Sequence, residues 1–408
     1  MKPLLLCSEG DPAAQASVIE VAWQEGRVVG IAPPQQQDNL AKALGQLGHR
    51  VGHPIGHRTA VVLGSGGSSG GRRWCVQPLS NLESSAEATG HWLRSLAIDP
   101  AACLHLNPLP LHHVSGLLPL VRSRLWGARL GWLPGPLLRR PRQLLRELPP
   151  HADHPVLLSL VPTQLGRLMA SPEGVDWLRG CSVIWVGGAA LPSPLAEAAR
   201  RAGLPLAPCY GATETAAMVC AMAPQDFLEG LEGCGTPLKD TQVRIDHSTS
   251  AVEIRTDRLS PGDLHDGKLE PLTLRPEGWW RSGDGGRWEG NQLRLSGRLD
   301  GAIQSGAETV FPEQLEERLR VMAANDALPV VALLLLREAD LEWGERLVAL
   351  VRTEPGADID FLLERLQRLV RTWIPAERPR RWCHCPALAT NSAGKWERGR
   401  WRQWLTSN

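Results

Sequence analysis

The chain has 408 residues and a formal net charge of +1, with 43% hydrophobic and 21% charged residues. This balance is typical of a soluble globular protein and argues against a dedicated nucleic-acid surface, which carries a strong basic excess. The length exceeds what one hydrophobic core usually supports, so two or three domains are expected.

The nine cysteines, an odd number, predict reduced thiols in a cytoplasm rather than a disulfide framework. The apolar start of the chain is too short for a signal peptide, and no apolar run is long enough to cross a membrane. The sequence Cys383-His384-Cys385 has no second pair at zinc-site spacing, so no metal role is expected for it. We therefore expect a cytoplasmic protein without a membrane span.

Helical and strand-like patterns alternate through the first half of the chain. A helical pattern that starts at residue 16 precedes the apolar run at 27–31, and a second helical pattern covers 38–47. This βα alternation predicts a parallel sheet. Further strands are predicted at 59–63, 103–111, 127–133, 155–161, 181–186 and 204–209, and further helices at 80–98, 117–126, 141–148, 162–169 and 194–202.

Three polar or glycine-rich loops follow predicted strands. Residues 64–73, Gly-Ser-Gly-Gly-Ser-Ser-Gly-Gly-Arg-Arg, could turn backbone N–H groups and hydroxyls toward a phosphate chain, but their composition also suits a flexible linker. They do not form a Walker loop, because no Gly-Lys-Ser/Thr follows. The other two loops, at 187–190 and 210–215, lie beyond the carboxyl ends of strands, where ligands collect in open α/β sheets.

The second half of the chain has a different pattern. From Cys234 onward, short alternating segments predict a β-rich subdomain, with a β-hairpin whose turn holds Asn291. The glycine-flanked segment 297–301 suits a hinge, since glycine absorbs changes of φ and ψ at low steric cost, and it equally suits an ordinary surface turn. A small α+β module is then predicted from helices at 312–322 and 358–373 and strands at 328–336 and 346–352.

Lysine is rare in this chain. The basic residues are mostly arginine, so a position that keeps lysine is a candidate for a role that needs a compact, flexible ammonium. Lys395 stands out because it ends the polar loop Thr390-Asn-Ser-Ala-Gly-Lys395 near the end of the small module. Tyr210 is the only tyrosine, beside sixteen tryptophans.

Eight short motifs, taken in order, resemble those of the adenylate-forming superfamily, which contains the acyl-CoA synthetases, the adenylation domains of peptide synthetases and the luciferase-type enzymes. The resemblance runs from about Val21 to the end of the chain. The motifs are the Ser/Gly loop at 65–73, Pro-Leu-His-His-Val-Ser-Gly at 110–116, Gly-Gly-Ala at 187–189, Tyr-Gly-Ala-Thr-Glu at 210–214, Gly-Trp-Trp-Arg-Ser-Gly-Asp at 278–284, Gly-Arg-Leu-Asp at 297–300, Ser-Gly at 305–306 and Gly-Lys at 394–395.

The resemblance implies an α/β protein with two domains. Residues 1–298 would form a large N-terminal domain of layered βα subdomains plus a β-rich subdomain, which binds ATP and the acid. Residues 299–408 would form a small, mobile α+β lid that carries the catalytic lysine and turns on a hinge near Asp300.

The resemblance also implies a reaction. A small carboxylic acid is joined to AMP from ATP with loss of pyrophosphate, and its acyl group then passes to the thiol of CoA. ATP, Mg²⁺ and CoA are therefore the implied cofactors and cosubstrates, and no nucleic acid is an implied partner. The oligomeric state is left open, a homo-oligomer included.

Site residues follow from the resemblance, motif by motif. Tyr210 is expected to stack on adenine next to Gly211, and Asp284 to accept hydrogen bonds from the ribose hydroxyls with support from Arg298. Thr213 is expected to contact the α-phosphate, and Glu214 to bind Mg²⁺, which prefers carboxylate and phosphate oxygens. The remaining implied ATP-binding residues are Ser65, Gly66, Gly67, Ser68, Ser69 and Gly70 at the β and γ phosphates, with Gly188 and Ala189 beside adenine.

Lys395 is expected to catalyse adenylation together with Thr213 and Glu214. Its ammonium would bridge the attacking carboxylate and the α-phosphate, where negative charge accumulates in the transition state. The lid would then turn about Asp300 and withdraw Lys395. The turn would bring the CoA-binding residues to the pantetheine channel, namely Ser305, Gly306 and Ala307.

Within the superfamily, the compact length and the motifs at 109–117, 186–192 and 210–215 most resemble the o-succinylbenzoyl-CoA synthetases of menaquinone or phylloquinone biosynthesis. This resemblance implies that His113 and Ser115 face an aromatic dicarboxylate. The small residues Gly188 and Ala190 would leave room for the ring.

Two departures from the superfamily pattern leave alternatives open. The phosphate loop ends in Arg72-Arg73 instead of Pro-Lys, and the segment that precedes it is short. A synthetase for another aryl or fatty acid would share every nucleotide motif, and a non-catalytic nucleotide-binding relative would fit the altered loop. A peptide-synthetase adenylation domain is less expected, because no carrier domain follows Asn408.

Overall fold

The structure is a computed structural model that describes residues 3–45, 60–65, 73–149, 153–265, 268–299, 301–305, 308–340, 343–391 and 396–407. Its strands, in chain order, are β1 (Leu4–Cys7), β2 (Val29–Ala32), β3 (Ala60–Ser65), β4 (Arg73–Pro78), β5 (Leu104–Asn107), β6 (Arg129–Trp132), β7 (Val156–Leu160), β8 (Val183–Val186), β9 (Leu206–Ala212), β10 (Ala217–Ala221), β11 (Thr236–Pro237), β12 (Gln242–Ile245), β13 (Ala251–Arg255), β14 (Gly262–His265), β15 (Lys268–Pro271), β16 (Leu274–Arg275), β17 (Trp279–Glu289), β18 (Gln292–Arg298), β19 (Ile303–Ser305), β20 (Glu308–Val310), β21 (Val330–Asp340), β22 (Gly344–Thr353) and β23 (Arg381–His384).

The helices, in chain order, are α1 (Pro12–Gln24), α2 (Gln37–Gly45), α3 (Leu79–Ser95), α4 (Val114–Trp126), α5 (Pro141–Glu147), α6 (Pro162–Met169), α7 (Pro172–Arg179), α8 (Ser193–Arg201), α9 (Pro224–Leu228), α10 (Pro312–Asn325), α11 (Ile359–Leu369) and α12 (Arg398–Ser407). A 3₁₀ turn at Thr213–Thr215 joins β9 to β10. The chain divides into two compact units. The first holds 1–246, 252–282 and 288–294, and the second holds 247–251, 283–287 and 295–408.

A seven-stranded sheet in the order β11-β10-β9-β8-β7-β5-β6 forms the centre of the first unit. Its strands β6, β5, β7, β8 and β9 are parallel. Leu157 packs with α3, while the next residue, Leu158, packs with α6, α7 and α8. Since both faces are covered, the central strands β7 and β8 are nearly continuous apolar runs, as in other buried parallel sheets.

A six-stranded sheet in the order β1-β2-β3-β4-β14-β15 is the second layer of the first unit. Strands β1, β2 and β3 are parallel, and β4, β14 and β15 continue the sheet in antiparallel fashion. Val62, Trp74 and Leu264 pack on one face with residues of α2. The opposite face of β3 contributes Val61 and Leu63 to a core shared with α1 and α4. The strands β12, β13, β17 and β16 form a further sheet, and β18 pairs with β17.

The second unit contains a sheet in the order β20-β19-β22-β21, with β23 added beside β22. The long pair β21 and β22 is antiparallel, and β22 and β23 are parallel. One face packs on α10 and α11 around Leu319, Leu335 and Leu366, and the other packs on α12 through Trp401 and Leu405.

A buried ion pair fixes the start of α12 in the second unit. Glu316 of α10 accepts hydrogen bonds from Arg398 Nη2 at 2.9 Å and from the Leu335 backbone N–H at 2.8 Å. Arg398 also donates from Nη1 to the Leu335 carbonyl at 2.7 Å. Burial raises the pKa of Glu316 to about 7, although the positive charge of Arg398 opposes the rise.

The observed fold confirms the predicted α/β class and corrects several details. The hairpin around Asn291 is present as β17 and β18. The predicted parallel arrangement is present in β1–β3 and in β5–β9, and both sheets continue with antiparallel strands, β4 and β14 in one and β10 in the other. Tyr210 and Gly211 belong to β9 and not to a loop, because β10 pairs with the end of that strand. The boundary between residues 298 and 299 and the hinge at Asp300, which lies outside the described residues, stay predictions.

All nine cysteines are free thiols. In the part of the chain that the structure describes, no helix is long and apolar enough to cross a membrane.

We predict that Glu316 makes the stability of the protein depend on pH. Because the folded-state pKa of about 7 lies above the ordinary value of 4.5, the folded state binds more protons between these pH values. The free energy of unfolding should therefore fall, by on the order of 3 kcal/mol, as pH rises through this window. Urea unfolding from pH 5 to pH 7.5 should show that this contribution is missing in Glu316→Gln. Glu317→Gln on the same helix should keep the pH dependence of the unsubstituted protein. If the free energy of unfolding changed with pH equally in the unsubstituted protein and in Glu316→Gln, the assignment would be wrong.

Candidate active site

The predicted nucleotide residues of the first unit meet at the carboxyl ends of β8 and β9. These strands are parallel neighbours, with Val186 opposite Pro208, so Gly188 and Tyr210 follow at equivalent positions. Gly188 has a φ of +77°, a conformation that favours glycine, and it is exposed together with Ala189 and Ala190. The structure therefore brings the motif at 187–190 beside the motif at 210–215, as ligand sites in open sheets require.

Tyr210 and Gly211 are positioned by the pairing of β9 with β10. Tyr210 is buried and lies opposite Cys220, next to an irregularity in the register at Met218. A Cβ on Gly211 would lie 2.0 Å from the carbonyl oxygen of Ala217, so only glycine permits this close approach of the two strands.

The turn Thr213–Thr215 is fixed through its backbone carbonyl groups. Gln77 Nε2 donates to the Thr213 carbonyl at 2.6 Å, and the Ser260 backbone N–H donates to the Glu214 carbonyl at 2.7 Å. The Thr215 carbonyl accepts from Arg258 Nη1. Three successive carbonyl groups are thus held from two segments, β4 and the connection between β13 and β14, and the turn has little freedom to move.

The hydroxyl of Thr215 forms hydrogen bonds to the backbone on both sides of the same turn. It accepts from the Ala212 backbone N–H at 3.0 Å and donates to the Ala217 carbonyl at 2.7 Å. Two residues that follow, Ala216 and Ala217, have positive φ values of 52° and 81°, which are rare for alanine and cost about 1–3 kcal/mol each. The hydrogen bonds around the turn offset this backbone strain.

Arg258 is buried, with 1% of its surface exposed, and it connects the turn to the rest of the first unit. Its Nε donates to Asp240 at 2.6 Å, and its Nη2 donates to the Met218 carbonyl at 2.8 Å and to Thr241 Oγ1 at 3.2 Å. A buried guanidinium is stable only when its N–H groups find acceptors, and the turn supplies one of them. The sequence interpretation did not include Arg258.

The side chains of Thr213 and Glu214 remain partly exposed while their backbone is fixed. Burial raises the pKa of Asp263 to about 6, and the negative charge of Glu214 adds to this rise. Burial also raises the pKa of Cys75 well above its ordinary value, again with a contribution from Glu214. The carboxylate of Glu214 therefore lies close enough to both groups to act on them electrostatically.

The carboxylate chemistry of this turn fits Mg²⁺. Magnesium is usually bound by one or two carboxylates together with substrate phosphates and water, not by a cage of protein ligands. Glu214 supplies one such carboxylate on a fixed backbone. Among the described residues, no group of three or more His, Cys, Asp or Glu side chains is arranged to hold a metal ion by itself.

The predicted acid-binding residues lie at the start of α4. His113 precedes the helix and is exposed, as is Ser115 in its first turn. Asn107 fixes the approach to this helix, since its Nδ2 donates to the Gly116 carbonyl at 2.7 Å and its Oδ1 accepts from the Leu109 N–H at 3.0 Å. His113 and Ser115 are therefore presented by a rigid turn beyond the end of β5.

Arg122 is a second buried cation that the sequence interpretation missed. It lies in α4 seven residues after Ser115, which is two helical turns, so both residues are on the same face of the helix. Its guanidinium lies 4.9 Å from the ring centroid of Trp185, and its Nη2 is 3.3 Å from Thr89 Oγ1. Within the described residues no carboxylate forms an ion pair with it, and burial lowers its pKa to about 10.

The remaining predicted residues belong to the second unit or lie outside the described residues. In the second unit, Arg298 Nη1 forms an ion pair with Asp284 Oδ1 at 3.3 Å, so these two predicted ribose-binding residues do lie together. Ser305 is fully buried in β19. The predicted residues outside the described ranges are Gly66, Gly67, Ser68, Ser69, Gly70, Asp300, Gly306, Ala307 and Lys395.

Comparisons with known proteins identify the family of the chain. The sequence pattern of a family described as AMP-binding enzyme matches residues 11–256. The 2-succinylbenzoate--CoA ligase of Escherichia coli (strain K12) is 32% identical over 302 residues, which cover 74% of this chain and 60% of that protein. This chain thus matches less than two thirds of the length of that relative.

Solved structures show the same fold. Wild-type E. coli MenE with a bound m phenylether-linked analogue of OSB-AMS has a TM-score of 0.72 and 26% identity, and the match covers all of this chain and 88% of that one. The o-succinylbenzoate CoA synthetase (MenE) of Bacillus subtilis, in complex with the acyl-adenylate intermediate OSB-AMP, has a TM-score of 0.78 at 18% identity, with 98% and 88% covered. The second likeness is one of fold alone.

We predict that Arg258 is essential for the stability of the first unit. Replacing it by Met would leave Asp240 and the carbonyl groups of Thr215 and Met218 without this donor, and should lower the free energy of unfolding by about 3–5 kcal/mol. The matched change Arg201→Met removes an exposed pair with Glu197 and should cost less than about 1 kcal/mol. Urea unfolding of the three proteins tests this, and a loss below 1 kcal/mol for Arg258→Met would contradict it.

Proposed function

This chain belongs to the AMP-binding enzyme family, and from that premise we propose that it is an ATP-dependent acid–CoA ligase. The observation that carries the proposal is the turn Thr213–Thr215, whose backbone is held at three carbonyl groups while the side chains of Thr213 and Glu214 stay accessible. Such a fixed turn suits catalysis, because polar groups that are already in place need no reorganisation when charge develops in the transition state.

The proposed first step forms an acyl-adenylate. A carboxylate oxygen of the acid attacks the α-phosphorus of ATP, the bond to the β-phosphate breaks, and pyrophosphate leaves. Thr213 contacts the α-phosphate and Tyr210 stacks on adenine, beside Gly188, Ala189 and Gly211. The other proposed contacts are Ser65 and residues 66–70 at the β and γ phosphates, and Asp284 and Arg298 at the ribose.

Glu214 would hold Mg²⁺, which neutralises charge on the phosphates when bound. Lys395 is the proposed cation at the reacting oxygens, where it stabilises the charge that accumulates on the α-phosphate. In the second step the thiol sulfur of CoA attacks the acyl carbon and AMP leaves. We assign Ser305, Gly306 and Ala307 to CoA and Asp300 to the hinge, since one site serves two chemistries when its lid turns.

The proposed acid is o-succinylbenzoate, and the proposed product o-succinylbenzoyl-CoA belongs to menaquinone or phylloquinone biosynthesis in the cytoplasm. The names of the relatives support this choice. His113, Ser115, Gly188 and Ala190 are the proposed contacts of the acid.

Arg122 adds an independent reason for a dicarboxylate. A buried guanidinium without a carboxylate partner is costly, and a bound anion reduces that cost. Arg122 lies on the helix face of Ser115, two turns further along α4. We assign it to the carboxylate of the acid that is not adenylated.

Another aryl or fatty acid remains the alternative substrate, because the nucleotide motifs do not depend on the acid. With CoA present, pyrophosphate release should be fastest with o-succinylbenzoate across a panel of aryl, fatty and dicarboxylic acids. A preference for a fatty or simple aryl acid would overturn the assignment of the acid. A protein that binds ATP but releases no pyrophosphate with any acid would instead be a non-catalytic nucleotide-binding relative.

The role of Arg122 predicts a change of selectivity. Arg122→Met should lower kcat/KM for o-succinylbenzoate by about 10- to 100-fold, because a charge-assisted hydrogen bond is lost. It should lower kcat/KM for 4-oxo-4-phenylbutanoate, which lacks the ring carboxylate, by much less. Equal losses for both acids would show that Arg122 has only a structural role.

Lys395→Ala should lower the rate of acyl-adenylate formation on the order of 100- to 1,000-fold and leave ATP binding largely intact, since its charge acts mainly in the transition state. Quenched-flow measurement of acyl-adenylate and fluorescence titration with ATP separate the two effects. Lys42→Ala, on the exposed side of α2, is the matched control. Unchanged turnover in Lys395→Ala would remove the lysine from the mechanism.

A further inference from the structure

A side-chain hydrogen bond joins the end of β1 to the turn before α4. Ser8 Oγ lies 2.6 Å from His112 Nδ1, although the two residues are 104 positions apart in the chain. His112 is half-buried, and the centroid of its ring lies 4.3 Å from that of His113, with an angle of 51° between the two planes. The three side chains therefore form a continuous series from the β1–α1 connection to a proposed contact of the acid.

Backbone hydrogen bonds fix the segment that carries Ser8. The Ser8 N–H donates to the Ala32 carbonyl at the end of β2 at 2.9 Å, and Gln37 Nε2 donates to the same carbonyl at 2.7 Å. The carbonyl of the next residue, Glu9, accepts from Gln15 Nε2 of α1 at 2.8 Å. The hydroxyl of Ser8 is thus carried by a fixed backbone just beyond the carboxyl ends of β1 and β2.

The turn before α4 packs on the same core as α1. Leu111 and Val114, which flank the two histidines, are buried together with Ile19 of α1. This packing fixes the backbone of the turn but not the planes of the rings, because the torsion that rotates a histidine ring has a broad range of low-energy values. The orientation of each ring is therefore set by the groups that it touches.

We propose that His112 is a positioning residue for the acid: Ser8 sets the plane of the His112 ring, and this ring holds the exposed ring of His113 in the orientation that contacts the acid. The proposal rests on the proposed function and extends it to Ser8 and His112. A serine hydroxyl can donate to a ring nitrogen or accept from it, and in either case the bond fixes the plane of the ring. Two aromatic rings in contact then restrict each other's rotation.

The expected benefit is a smaller loss of freedom when the acid binds. Ordering one exposed side chain on binding lowers affinity by about twofold to tenfold, and a side chain that is ordered beforehand avoids most of this loss. The series from Ser8 to His113 should therefore act on the binding of the acid and not on the binding of MgATP.

The test compares variants of Ser8 and His112 with the unsubstituted protein in pyrophosphate release. Ser8→Ala should raise the KM for the acid about threefold to tenfold, because the rings lose their fixed orientation, and should leave the KM for MgATP unchanged. Ser8→Thr keeps a hydroxyl and should restore most of the loss. His112→Phe keeps a ring beside His113 but offers no nitrogen to Ser8, so it should raise the KM for the acid as much as Ser8→Ala. Ser8→Ala should then add nothing in the His112→Phe background.

Two matched changes control for the loss of a hydroxyl or an imidazole as such. Ser17→Ala removes an exposed hydroxyl that bonds within α1, and His91→Phe removes an exposed imidazole that bonds within α3, so both should keep the two KM values of the unsubstituted protein. Thermal midpoints of all variants are measured alongside. The proposal is overturned by an unchanged KM for the acid in Ser8→Ala, by equal rises of both KM values, or by additive effects of Ser8→Ala and His112→Phe. A lower midpoint with unchanged KM values would leave the pair with a structural role only.

Nuclear magnetic resonance of the histidine ring nitrogens, recorded without acid or nucleotide on protein with isotopically labelled histidine, separates this proposal from the proposed function. Ser8→Ala should shift the Nδ1 signal of His112 and the ring signals of His113, whereas Ser17→Ala should shift neither. His112→Phe and His113→Phe identify the signals. If the unsubstituted protein turns over no acid, the ligase function fails, and these shifts still decide whether Ser8 orients the two rings. If Ser8→Ala leaves the signals of both histidines in place, the positioning proposal fails even when the ligase activity is present.

Discussion

The hydrogen bonds of the buried Arg258 guanidinium are the constraint on which the candidate site depends. One side chain joins β10, the turn at Thr213–Thr215 and Asp240, and each of these segments supplies an acceptor that the buried charge needs. Because a charge in a low-dielectric interior is costly without partners, the segments cannot separate without exposing an unpaired cation. The geometry of the turn is therefore coupled to the stability of the unit around it.

This coupling explains how a short turn can present reactive side chains precisely. The carbonyl groups of Thr213 and Glu214 are bonded to Gln77 and Ser260, and Ala216 and Ala217 adopt positive φ values that an isolated turn would avoid. The hydrogen bonds to the backbone offset the strain, so the side chains of Thr213 and Glu214 are not needed to stabilise the turn. A turn of this kind can devote its side chains to a ligand.

Sequence motifs located most of the candidate site, because its members are contiguous in the chain and follow strands with clear apolar runs. Local patterns missed β10, a short run rich in small residues, and therefore ended β9 too early, before Tyr210. Arg258 was out of reach for a different reason. Its neighbours in sequence look like ordinary polar loop residues, and only its burial and its hydrogen bonds to three segments reveal its role.

The electrostatics of the site follow from placing two acids near each other in a partly buried region. Burial and then the negative charge of Glu214 raise the pKa of Asp263, so the ionised form of Asp263 is disfavoured until a cation comes close. Arg73 offsets only part of the cost of ionising Asp263, because its guanidinium lies 3.9 Å from the carboxylate and most of its side chain faces solvent. A further cation close to Glu214 and Asp263 would reduce this cost, because an opposite charge favours the ionised form of a carboxyl group.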